Sequence, residues 1–170
     1  NWINNVIIGL NFCPFAKKEI ERQTVHYAVT THHDIGQSLE LLLDQFQWLE
    51  QHPELETGLI IFKAGFEDFS DYLDLVDYAN GLIAQGGYEG IFQLATFHPH
   101  YCFEGEAQED PANYTNRAPY PILHILRETS LERVLSRYPE PESIPVNNIN
   151  KARELGIDKL QALLTRSFSK

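Results

Sequence analysis

The chain is poor in three things. It has two cysteines in 170 residues, Cys13 and Cys102, too few for a disulfide framework. A chain able to build its own core needs no such staple, so two reduced thiols are expected. It has no long apolar run: stretches such as Gly58 to Phe62 fall far short of the roughly 18 residues that suggest a membrane span. It is also short of positive charge, with 13 Lys plus Arg against 24 Asp plus Glu and a net charge of −11. That balance argues against nucleic acid or an anionic lipid surface as a partner, and any anion site must be local. The opening NWINNVIIGLNFCPF lacks the basic region and small-residue cleavage site of a secretory leader, so a cytoplasmic location is expected.

What is present suits one globular domain over residues 1–170. Apolar residues make up 43% and aromatics 12%, enough for a sizeable core. Trp2, Ile3, Val6, Ile7 and Leu10 recur at spacings of three and four, the stripe of an amphipathic helix. Pro14 suits a first helical turn, so a second short helix is expected from Pro14 to about Arg22, with Cys13 at its N-cap. Strand patterns at 24–31, 58–64 and 90–98 alternate with helical patterns running from Asp34 through Leu49 and from Phe69 to Ile83. A fourth strand, PILHILRE, ends near Arg127, and one or two helices close the chain. The expectation is α/β: a mostly parallel four-stranded sheet built from βα repeats, with helices packed on it and helical segments at both termini.

Between Pro99 and Pro121 lies a long stretch with Tyr101, Phe103, Tyr114 and Tyr120, read as an ordered functional loop, since long structureless loops are otherwise uncommon. In open α/β sheets ligands gather at the carboxyl ends of the strands. Those ends carry Thr31-His32-His33-Asp34, Lys63-Ala64-Gly65, His98-Pro99-His100 and, if the fourth strand is parallel, Arg127. Arg117 and Arg127 suit bidentate capture of a small anionic molecule, with Asn116 and Lys63 beside them, and His98 or His124 suits general acid or base work. His98-x-His100-x-Cys102 places three donors on one side of an extended chain, with His124 a conceivable fourth ligand for a transition metal such as zinc. The competing reading hydrogen-bonds both histidines to the loop and leaves Cys102 as a small buried group. A cysteine at a helix N-cap near two lysines should have a lowered pKa, which makes Cys13 a candidate nucleophile.

The string FCPFA resembles the active-site turn of glutaredoxins and omega-class glutathione transferases, although helix precedes it here and Ala16 stands where a resolving cysteine would be. The strings CPFA, ATFHPHYCFEG and NYTNRAPYPILHILRE, in that order, resemble an uncharacterised bacterial family with plant relatives known as a domain of unknown function. That resemblance implies no reaction, cofactor or substrate. Three classes therefore stay open. One is a small-molecule enzyme or ligand-binding domain with an anion pocket at the strand ends. Another is a non-catalytic adaptor using the 99–121 aromatic loop, and the third is a redox protein working through Cys13.

Overall fold

A computed structural model describes residues 1–167. Four strands, β1 (Val25–Thr30), β2 (Thr57–Phe62), β3 (Phe92–Phe97) and β4 (Ile122–Arg127), form one sheet in the order β1-β2-β4-β3. Helices α1 (Ala16–Glu21), α2 (Ile35–Gln51), α3 (Phe69–Gln85), α4 (Glu128–Leu135), α5 (Ser143–Leu155) and α6 (Ile157–Arg166) surround it. A π-helical segment, Ile3–Ile8, and a 3₁₀ turn, Pro111–Thr115, complete the described elements. No helix among the described residues is long and apolar enough to cross a membrane.

The α/β class stands, but the sheet is mixed. β1 and β2 pair in parallel, whereas β4 runs antiparallel to both its neighbours, β2 and β3. The cause is the path after β3. α2 and α3 each carry the chain back across the sheet, so the next strand starts from the original end. The 98–121 loop carries no such crossover, and the chain re-enters from the rim where β3 left, which makes β4 antiparallel. β4 then fills the gap between β2 and β3.

Alternation along the strands separates two cores. On one face α2 lays Leu42, Phe46 and Leu49, and α3 lays Tyr72, Leu75, Ala79 and Ile83, against Ile60, Phe62, Phe92, Leu123 and Ile125. Phe46 and Phe92 stack with ring centroids 5.0 Å apart. Both helices start on aspartate caps: Asp34 accepts from the Gln37 N–H, and Asp68 from the Ser70 N–H. On the other face Trp2, Val6, Ile7, Tyr114, Leu160 and Leu164 cover Leu59 and Ile122. Each fully buried side chain of this kind contributes roughly 1.5–3 kcal/mol. The N-terminal stripe is wound as a π-helix, with the Gly9 N–H reaching the Asn4 carbonyl at 3.0 Å.

Arg127 lies at the rim opposite the carboxyl ends of β1, β2 and β3, since it is registered with Phe92 at the start of β3. Its guanidinium donates to the carbonyls of Leu49, His52 and Leu55, so it closes the C-terminus of α2 onto the entry to β2. Replacing Arg127 by Ala leaves these carbonyls short of donors and should destabilise the fold by about 3 kcal/mol in urea unfolding. Arg127→Lys should recover less than half of that loss, because a point charge cannot serve three carbonyls as a planar fork does.

Candidate functional site

The carboxyl rim of β1, β2 and β3 is built from loops that touch. Gly65 (φ +84°) sits so close to the β1–α2 loop that a Cβ there would lie 2.5 Å from the His32 carbonyl oxygen. Beside it, Glu67 accepts the Gly65 N–H at 2.9 Å, and backbone hydrogen bonds hold its carboxyl below the usual range. Asp68 is lowered too, by hydrogen bonds from the Ser70 hydroxyl and then the Ser70 amide. The His32 Nδ1 is buried with no partner among the described residues. Lys63 is exposed and forms no ion pair among them.

His98 follows β3 on this rim and is fully buried, between Phe69 and Tyr72 with ring centroids 5.1 Å from each. Its Nε2–H donates to the Phe66 carbonyl at 2.9 Å, and its Nδ1 accepts the His100 N–H at 3.0 Å. One neutral tautomer satisfies both bonds, and burial pushes the pKa below its ordinary value.

The 99–121 loop hangs from a few side chains. Asn113 is fully buried; its Oδ1 accepts the Phe103 N–H, and its Nδ2 donates to the carbonyls of Ala107 and Gln108. Arg117 donates Nε to the Tyr101 carbonyl and Nη2 to that of Gln108, and its guanidinium lies 4.5 Å from the Tyr114 ring centroid. Trp2 donates its indole N–H to the Arg117 carbonyl at 3.1 Å. Asn116 donates to the Thr96 carbonyl, and its own carbonyl accepts the His98 N–H. Outside, Arg153 of α5 pairs with Asp110 at 3.0 Å and Glu106 at 3.3 Å. Residues 104–109, with Glu104, Glu106 and Glu109, stand exposed at the tip.

The proposed metal triplet does not converge. The Tyr101 N–H bonds back to the His98 carbonyl, so the chain turns after Pro99 instead of running extended, and alternate residues lose their shared side. His98 has both ring nitrogens engaged, His100 is exposed, and the Cys102 thiol points to carbonyls of its own loop. No group of three or more His, Cys, Asp or Glu among the described residues is placed to hold a metal ion.

Of the candidate catalytic and anion-binding groups, His98, Asn116 and Arg117 meet around the 99–121 loop, and the others are dispersed. His98 packs against α3 on one side of the sheet. His124 faces the other, beside Phe97, and Arg127 lies at the far rim. Thr57 gives its hydroxyl proton to the Ile125 carbonyl at 2.5 Å, so it accepts from the His124 Nε2–H at 2.7 Å. Burial pushes His124 down to about 4. Cys13 is not at a helix N-cap: α1 begins at Ala16 behind Phe15, and the half-buried thiol packs into the second core. Burial pushes its pKa up, against the smaller pull of the Phe15 and Ala16 amides, the opposite direction to the lowering expected of a helix N-cap.

Three of the arrangement's parts were not singled out from the sequence. Asn113 was hidden as one polar residue in a polar loop, although Asp110-Pro111 before it signals the turn that aims it. Gln93 stands outside the signature strings and Glu128 only closes one of them, and they line hollows of about 500 and 440 Å³ flanking β3.

The two depressed histidines fix a pH response. Both bind protons more readily in the unfolded chain, so stability rises with pH through the window between their folded values and the ordinary 6.5 and is lost on acidification through it. Chemical unfolding at a series of pH values should show a loss of roughly 3 kcal/mol from His124 alone between pH 6.5 and 4. A His124→Gln variant should shallow that slope, and an unchanged slope would remove His124 as its source.

No curated protein and no solved structure matches this chain. A family model described as "Protein of unknown function (DUF1415)" matches residues 1–162, and the chain belongs to that family.

Proposed function

We propose that this domain binds and does not catalyse, and that its recognition surface is the 99–121 loop. One observation carries this reading. The groups best suited to chemistry, His98, Asn116, Arg117 and Arg127, spend their hydrogen bonds on the chain's own backbone, and three of the four brace this loop. A loop held this firmly loses little further conformational entropy when it meets a partner. Its exposed tip carries three glutamates and stands beside the half-buried aromatic pair Tyr101 and Phe103, whose centroids are 5.0 Å apart. Polar rims around aromatic anchors are a common interface composition.

A second reading has one observation of its own. Arg117 forms no ion pair among the described residues, and its guanidinium already rests on Tyr114. A small carboxylate or phosphate bound there, with Lys63 and His124 uninvolved, would complete its charge.

A photo-crosslinking amino acid at Gly105, with a second placed at Asp44 on α2 as control, tests the first reading. An adduct specific to position 105 should form, and its purified partner should bind the Asn113→Ala variant at least roughly ten-fold more weakly than the unmodified chain. Equal adducts at both positions, or equal binding by the variant, would refute the loop as the surface.

A further inference from the structure

We propose that the open edge of β3 is a docking site for an extended peptide in which basic and aliphatic residues alternate, a surface separate from the loop tip and independent of that reading.

The edge follows from the ladder. β3 is a terminal strand and, among the described residues, pairs only with β4. The Glu128 N–H bonds to the Ile91 carbonyl, so by antiparallel alternation Gln93, Ala95 and Phe97 direct their backbone groups toward β4. Phe92, Leu94 and Thr96 direct theirs outward. Asn116 occupies the Thr96 carbonyl, and the Phe92 N–H turns back to Tyr88, which among the described residues leaves the Phe92 carbonyl, both groups of Leu94 and the Thr96 N–H as a short open ladder. Neither charge nor proline protects it, since the strand reads FQLATF.

A hollow lies on each side of that ladder, and Gln93 and Glu128 line both. Toward α3, about 500 Å³ is bounded by Asn80, Glu89 and Glu128 over Ile83, Phe92 and Leu94. Toward α4, about 440 Å³ is bounded mainly by Leu131, Leu135 and Pro141, a more aliphatic lining that Glu132 and Ser136 also border. Side chains of an added strand alternate between the two faces, so one residue falls into the acidic hollow and the next into the aliphatic one.

Charge selects the occupant. Glu89, Glu128 and Glu132 are in no ion pair among the described residues, and the whole chain carries −11. A second copy pairing edge to edge would bring these carboxylates against their own mates. A basic strand meets complementary charge in one hollow and apolar surface in the other.

The probe is a fluorescein-labelled peptide of about seven residues alternating lysine and valine, against one of the same composition with its lysines and valines in two blocks. Anisotropy should show saturable binding of the alternating peptide and at least roughly ten-fold weaker binding of the block peptide, with amide shifts in the full chain centred on residues 92–96. Glu89→Lys combined with Glu128→Lys should lose binding by a similar factor. Leu94→Pro, which deletes one outward N–H at a position where an edge strand tolerates proline, should weaken it without changing the variant's far-UV spectrum. Equal binding of both peptides would overturn the proposal, as would shifts centred on β1 or the 104–109 tip, or self-association through 92–96 in place of peptide binding.

Discussion

Irregular backbone can lie against a protein core only where something answers for its amide and carbonyl groups. Between β3 and β4 side chains do much of this: Asn113 serves three backbone groups, Arg117 two and His98 the His100 amide, while His98 also ties the stretch to the Phe66 carbonyl and Asn116 ties it to that of Thr96 in β3. Without them the stretch would have to return to water, Trp2 would lose the Arg117 carbonyl, and the 3₁₀ turn that carries Tyr114 into the second core would have no fixed approach. The direction of β4, and with it the mixed sheet, depends on where this braced stretch delivers the chain.

The same economy accounts for where the residues with catalytic chemistry spend their hydrogen bonds. A histidine whose two ring nitrogens are both committed has neither a free base nor a free acid. Arginine is favoured for bracing carbonyls by the property that favours it for anions, a rigid fork of donors. Arg127 uses its fork at the end of α2, where four carbonyls of any helix lack intrahelical partners. His124 and Cys13 lie on the opposite side of the sheet from His98, both held in their uncharged forms by burial.

Much of the architecture was legible in the sequence because it is written locally. The short apolar runs at 58–64 and 90–98 and the stripe Leu42, Phe46, Leu49 each report their own element within a dozen residues. β4's direction was not legible, since a run such as PILHILR reads alike in either sense and only the loop's path decides. Nor was the fate of His98, Arg117 and Arg127: residue type says what a side chain can bond, while the identity of its partner, 16 residues away for Arg117 and up to 78 for Arg127, belongs to the tertiary fold. The Cys13 expectation failed on a shift of two residues in the start of α1, which moved the thiol from a helix terminus into packed surroundings.

The most direct test of this account is native-state hydrogen exchange at two amides, His100, which donates to the His98 Nδ1, and Phe103, which donates to the Asn113 Oδ1. At neutral pH both should exchange at least roughly a hundred-fold more slowly than in an unstructured chain. On acidification the His100 amide should lose its protection before the strand amides lose theirs, as the Nδ1 that accepts it takes a proton. Both amides exchanging at unstructured rates at neutral pH would contradict the claim that side chains hold this loop in place.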